Sequence, residues 1–320
     1  MTDDMTAAAH PHALDEEQIA RFRRDGFLIL RDRLPEPVLA GVRGVFETVV
    51  DKLARRWQAH GVVEDALPGL GFEERYLRLL QSGVTKVPTA WRRILVSRPV
   101  HQLWQCPQLV GAVRSLLGDA LYAHGVWNGR PRDPFGRSPQ VHWHQDAHYY
   151  KAWDPQDGAL LTAWLPLVPV DENSACLQFA AGSHRRGWIG RQRGEGGEYT
   201  AADEAVDRHE VVTAAMRPGD VVLFSDTTLH RSTPNSSGRM RWSIDIRFGQ
   251  DTPGIVAKTP RGYRCFNAGN PGSVEPFLAW ASRYRYEPED LLDELTNFEE
   301  GYDLGVLRAF SRTSPYSDVY

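Results

Sequence analysis

MRWSIDIRF, residues 240–248, alternates without a break. Met240, Trp242, Ile244, Ile246 and Phe248 are apolar, while Arg241, Ser243, Asp245 and Arg247 are polar. Successive side chains of a strand point to opposite faces, so a period of two separates these sets completely. The apolar face is expected to pack on helices, and the polar face to line the interior of a sandwich or barrel. Burying two arginines and an acid is costly unless the interior also holds charged groups or a charged ligand. The stretch therefore argues for a closed β architecture built around something anionic or metallic.

Five more strand-like runs precede it: VHWHQDA (141–147), ALLTAWLPLVPV (159–170), ACLQFAA (175–181), HEVVTAAM (209–216) and GDVVLFSDTTLHRST (219–233). Turn clusters such as DPQDG, AAGSH, RPGD and PNSSG separate them. Short strands without intervening helices predict an antiparallel sandwich or barrel, not a βαβ fold. The first third reads as mostly helical. A helix is expected from near Leu14 with Asp15 as its cap, then a short strand at 26–32, then a helix opened by Pro35 and Pro37. Residues 275–286 and 288–298 look helical again. We expect one domain over 14–320, mainly β with flanking helices and a core over about 120–250, and a disordered lead-in over 1–13. The Gly- and charge-rich stretch 185–207 reads as a long insertion, a candidate lid.

The net charge of −4 argues against nucleic acid as a partner, because phosphate binding needs a concentrated basic face. Cys106, Cys176 and Cys265 form neither a disulfide framework nor a zinc motif, and are expected to be packing residues. The first residues are acidic where a signal peptide would be basic, and no apolar run reaches membrane-spanning length. We therefore expect a cytoplasmic protein with no membrane contact, acting on a small molecule. Oligomeric state is not legible.

The stretch VHWHQDAHYY, 141–150, places three of the chain's 11 histidines beside one aspartate. On a strand, His142, His144 and Asp146 share a face, and a His-x-Asp pair can take two adjacent corners of a metal's coordination sphere. His230, 86 residues after His144, is the candidate third ligand. Two histidines and one carboxylate on one face of an octahedron leave three positions open, the arrangement of non-haem Fe(II) oxygenases. Arg241 follows His230 by 11 positions and suits a carboxylate through paired hydrogen bonds. Ser243 shares its face, and Ser232 lies two residues past His230.

These residues, with His148-Tyr149, Ala163-Trp164, Gly182-Ser183-His184, His230-Arg231-Ser232 and the opening LDEEQIARFRRDGFLIL, resemble the phytanoyl-CoA dioxygenase (PhyH) family of Fe(II)- and 2-oxoglutarate-dependent oxygenases. The resemblance implies a double-stranded β-helix, cupin-like core. It implies that His144, Asp146 and His230 bind iron, that Arg241 with Ser232 holds the distal carboxylate of 2-oxoglutarate, and that Trp164 and Gln145 make further co-substrate contacts. Dioxygen is the third reactant. The expected reaction is hydroxylation of an unactivated C–H bond of a small specialised metabolite, with release of succinate and CO2. Asp146 favours oxidation over halogenation, since related halogenases carry a small residue there. Ala181 stands where the family usually has proline.

His142 rivals His144, and its pairing with Asp146 favours His144. His148, Tyr149, Tyr150, Trp153 and Arg130 are candidate substrate contacts; His148 reads equally well as a packed histidine, and Arg130 as part of a solvated loop. Arg247 is a rival clamp, better read as the partner of Asp245 or of a loop acid. His184 is expected to fix a turn. The competing functional readings are a non-catalytic cupin-type metal or ligand sensor and, within the oxygenases, an acyl-CoA substrate.

Overall fold

The computed structural model describes residues 10–84, 87–88, 91–136, 141–150, 154–193, 199–259 and 261–284. The first helix, α1 (Glu16–Asp25), starts at Asp15, which forms a capping box with Gln18. It ends at Gly26, where φ is +83° and an added Cβ would lie 2.3 Å from His184 Nδ1. Only glycine suits that left-handed, crowded position. Strand β1 (Phe27–Leu30) follows, then α2 (Glu36–Ala59). Four shorter helices complete the N-terminal part: α3 (Arg75–Gln81), α4 (Trp91–Ile94), α5 (Arg98–Leu103) and α6 (Pro107–Leu117).

The remaining strands are β2 (Ala120–Ala123), β3 (Asn128–Gly129), β4 (Leu160–Pro166), β5 (Leu177–Ala180), β6 (Gln192–Arg193), β7 (Tyr199–Thr200), β8 (Val211–Ala214), β9 (Val221–Ser225), β10 (His230–Ser232), β11 (Ser243–Gln250) and β12 (Tyr263–Asn267). Two short helices, α7 (Pro253–Lys258) and α8 (Phe277–Ala281), lie among the last of them. The larger sheet runs β1-β9-β4-β11-β2-β12, with β3 also on β11; the smaller runs β10-β5-β8. All these pairings are antiparallel. This is the expected jelly roll.

Strand β11 divides as its alternation requires. Trp242, Ile244, Ile246 and Phe248 are fully buried against the helical layer. There Trp242 meets Phe46 at 5.3 Å, Phe72 at 4.9 Å and Tyr76 at 5.4 Å between ring centres. Such aromatic contacts add to area burial in fixing where α2 sits. Arg241, Ser243, Asp245 and Arg247 are equally buried, on the other face.

The structure corrects two expectations and adds elements that local pattern did not carry. VHWHQDA is not a strand: it makes one antiparallel bridge, His144 to His230, and then turns into a 3-10 helix over Asp146–Tyr149. GDVVLFSDTTLHRST is two strands, β9 and β10, divided by a corner at 226–229 that carries the chain from the larger sheet to the smaller. The short strands β2, β3 and β12 have no signal of their own and are recruited by β11 and by each other. Residues 10–13 are packed on α6, where Arg33 donates to the His12 carbonyl and Leu14 N–H to Ser115 Oγ at 2.9 Å. Residues 1–9 and the expected helix 288–298 lie outside the described residues. All three cysteines are buried and free. Among the described residues no helix is long and apolar enough to cross a membrane.

One buried histidine away from the barrel interior carries a pH prediction. His101, on α5, stacks on Tyr263 at 4.6 Å, and burial pushes its pKa down to about 4. The folded value lies below the unfolded one, so the unfolded chain binds the proton more readily. Stability is then full above about pH 6.5 and falls toward pH 4, by up to about 3 kcal/mol for this group. In H101F, urea unfolding across that window is expected to lose about 1.4 kcal/mol per pH unit of slope. An unchanged slope would remove His101 as a cause.

Candidate metal centre

Strand pairing and one turn bring the three ligands together. The His144–His230 bridge sets the two residues directly opposite, so both side chains enter the barrel and their rings lie 4.2 Å apart. The 3-10 turn then swings Asp146 beside them, where strand alternation had been expected to do so. One ligand atom from each of His144, Asp146 and His230 lies within 4.8 Å of the others, and all three residues are buried. His142 offers its carbonyl, not its ring: His144 Nδ1 hydrogen-bonds to it at 2.9 Å. His230 Nδ1 does the same to the Thr228 carbonyl at 3.0 Å. A carbonyl can only accept, so both Nδ1 atoms carry the proton and both Nε2 lone pairs are available to a metal. Burial holds both histidines below the usual imidazole range, His144 well below it with His230 as the next cause, and this keeps them neutral. The corner that orients His230 is anchored in turn, since Thr228 Oγ1 donates to the Gly26 carbonyl at 2.7 Å.

Asp146 is held as an anion. Burial alone would raise its pKa, but Arg247 and then His230 outweigh that and keep it well below the carboxylate range. Arg247 donates from Nη2 to Oδ1 at 2.8 Å and from Nε to Oδ2 at 3.0 Å, and Thr162 Oγ1 donates to Oδ2 at 2.5 Å. Arg247 also pairs with Asp245 at 2.8 Å, and Asp245 with Arg130. Arg247 thus pairs with Asp245, as anticipated, and with the ligand acid itself. Thr162 was not foreseen; it lies opposite Arg247 in the β4–β11 register, which only the folded sheet shows. His124 was also missed. Its ring packs on Tyr150 at 4.9 Å, and burial, then Arg247, pushes its pKa down to about 3.

Arg241 is 1% exposed. Its Nη1 donates to Ser243 Oγ at 2.5 Å and to the Arg130 carbonyl at 3.2 Å, while its Nε is buried without a hydrogen-bond partner. No acid lies in salt-bridge range of it among the described residues. Burial first, then Arg132 and Arg130, push its pKa well below the guanidinium range. A buried cation left this way fits an incoming carboxylate, which would remove both penalties. Its guanidinium carbon sits 5.5 Å over the ring of Trp164, whose indole N–H is likewise buried and unpartnered. Ser232 is buried two residues past His230 on β10.

Other expected contacts are placed differently. The Gln145 amide donates to the Gly187 and Thr227 carbonyls at 2.8 and 2.6 Å and accepts from Ile189 N–H at 2.8 Å. Both its N–H groups are engaged, so it fastens the 187–189 segment and has no donor left for a co-substrate. His148 bonds the Ile189 carbonyl at 2.8 Å and is buried, in keeping with its reading as a packed histidine. These two anchors, with Arg191 donating to the His148 carbonyl, tie 187–191 to the back of the metal motif. Arg130 is committed to Asp245. Tyr149 meets His144 edge-on at 5.6 Å, and its hydroxyl bonds the Tyr199 backbone. The Tyr150 hydroxyl is buried without a partner. Trp153 lies outside the described residues.

A family model described as phytanoyl-CoA dioxygenase (PhyH) matches residues 22–243. A homologue of phytanoyl-CoA dioxygenase domain-containing protein 1 from Dictyostelium discoideum is 23% identical over 270 residues, covering 76% of this chain and 94% of the relative. Ectoine dioxygenase from Bordetella bronchiseptica is 23% identical over 245 residues, covering 70% and 72%. The crystal structure of SnoK, a non-haem α-ketoglutarate-dependent carbocyclase from nogalamycin biosynthesis, superposes with a TM-score of 0.51 at 17% identity, covering 82% of this chain and 94% of that one. The last likeness concerns the fold. The family match spans most of the chain and includes all three clustered ligands and Arg241. The chain therefore belongs to the phytanoyl-CoA dioxygenase family of Fe(II)- and 2-oxoglutarate-dependent oxygenases.

Proposed function

We propose that this protein hydroxylates an unactivated C–H bond of a small specialised metabolite. The observation that carries the reading is Arg241, a buried guanidinium with no acid in salt-bridge range among the described residues, lining the barrel that also holds the three-ligand cluster. A sensor that only bound metal would have no use for it. Iron would be held by His144, His230 and Asp146, and with 2-oxoglutarate and dioxygen it supplies the oxidising equivalent for hydroxylation, releasing succinate and CO2. Arg241 binds the distal carboxylate of 2-oxoglutarate, helped by Ser232 and by the indole N–H of Trp164. Phe179 and Phe224, stacked around His230 at 6.0 and 4.6 Å, keep water from the metal side of the pocket. Tyr149 and Tyr150, beside His144 and Arg247, line the substrate side. Hydrogen abstraction needs no protein acid or base, in keeping with two histidines held neutral.

The small-metabolite reading draws on the ectoine dioxygenase relative. The shared core from Leu14 to Trp280 supports reading residues from 14 onward as one domain, and three buried free thiols suit a reducing, cytoplasmic setting. The test is turnover with Fe(II), 2-oxoglutarate and a metabolite library under 18O2. We expect substrate-dependent succinate and a product heavier by one labelled oxygen. Iron and 2-oxoglutarate binding without succinate from any substrate mixture would favour the ligand-binding cupin.

A further inference from the structure

We propose that Arg247 and Thr162 are positioning residues for the iron carboxylate: they saturate Oδ2 of Asp146 and leave Oδ1 as its one ligand oxygen. This rests on the metal site argued above. A carboxylate oxygen has two in-plane lone-pair directions. Oδ2 already accepts from Thr162 Oγ1 at 2.5 Å and from Arg247 Nε at 3.0 Å. Among the described residues Oδ1 accepts from Arg247 Nη2 alone, at 2.8 Å, and it is the oxygen facing the histidine, 4.0 Å from His144 Nε2. A metal shared with that imidazole therefore meets Oδ1.

The consequence is a coordination number. Three protein atoms leave three positions of an octahedron, as a chelating keto acid and dioxygen together require. A carboxylate binding through both oxygens would close one of them. The clamp is rigid because its own partners are buried. Arg247 Nη1 is held by Asp245 at 2.8 Å and by the Val126 carbonyl at 3.1 Å, and Asp245 is held by Arg130. Charges alternate from Arg130 through Asp245 and Arg247 to Asp146, so the guanidinium cannot swing without exposing a buried acid. The register supplies the geometry, since Thr162 and Arg247 are directly opposed on β4 and β11 and reach the same carboxylate.

The test uses Co(II) alone as the probe, titrated into the full-length apo-protein and followed by visible absorption. We expect T162V and R247K to bind Co(II) about 10- to 100-fold more weakly than the wild type, with an altered ligand-field spectrum; T162V keeps a near-wild-type thermal melt, while R247K, which cannot satisfy both buried acids, melts lower but still cooperatively. R247K keeps the charge but cannot span both oxygens. A second arm needs neither variant: in D146G the empty cradle is a carboxylate site, so formate should raise Co(II) affinity at least about tenfold, saturably. In D146G/R247Q it should not. Wild-type affinity and spectrum in both T162V and R247K, or equal formate rescue with and without Arg247, would overturn the assignment. Failure of the wild type to bind Co(II) would overturn the metal site, and this inference with it.

Discussion

Replacing His230 with alanine is expected to lower 2-oxoglutarate turnover by at least about 10³-fold and metal affinity by more than about 100-fold, since loss of an outer-sphere partner alone costs 10- to 100-fold. His230 has two jobs that no neighbour can take over. Its Nε2 is one of three ligand atoms within 4.8 Å of one another, and its Nδ1 proton is fixed on the Thr228 carbonyl. The rival histidine by sequence, His142, is exposed and lies outside the cluster. Anaerobic Fe(II) titration with single-turnover succinate measurement reads both effects. Turnover within tenfold of wild type would sink the three-ligand site.

The second large effect separates activity from stability. R241M is expected to raise KM for 2-oxoglutarate about 100-fold, equivalent to about 2.7 kcal/mol, the scale of one or two charge-assisted hydrogen bonds. At saturating 2-oxoglutarate kcat should change little, because the distal carboxylate is bound equally in the ground and transition states. The apo-protein should be at least as stable in urea as the wild type. Most buried charges anchor a partner acid and are costly to delete. Arg241 has none in range and carries an unsatisfied Nε, so its removal also removes a penalty. Loss of more than about 3 kcal/mol of stability would show that the guanidinium is a core element and not a binding group.

The site was legible to different depths. The ligands were visible because His144, Asp146 and His230 are residue types with a spacing that few other roles demand. Arg241 was visible because a strict period of two placed it on a polar interior face. The hydrogen bonds of Gln145 to the 187–189 segment were not legible, because adjacency to metal ligands in sequence says nothing about which way an amide points at the 3-10 turn. His148, which read equally well as a packed histidine, is fastened to the same segment. Thr162 lies in the apolar run 159–170, where one hydroxyl carries no signal, and only the register opposite Arg247 gives it a role. His124 stands just past a short strand without alternation and was silent for that reason.

Local pattern alone determined the β class, the helical N-terminal part, the cap at Asp15 and the segregation of β11 into an apolar and a charged face. These follow from period, propensity and turn chemistry, which act over a few residues. What closes the barrel, which oxygen of Asp146 is left for a metal, and which cation has an acid beside it were decided by pairings between segments dozens to more than a hundred residues apart. Burial supplies the reason: a charge in the interior has its protonation, its orientation and its availability set by the few groups that touch it, and the chain chooses those groups only when the two sheets meet.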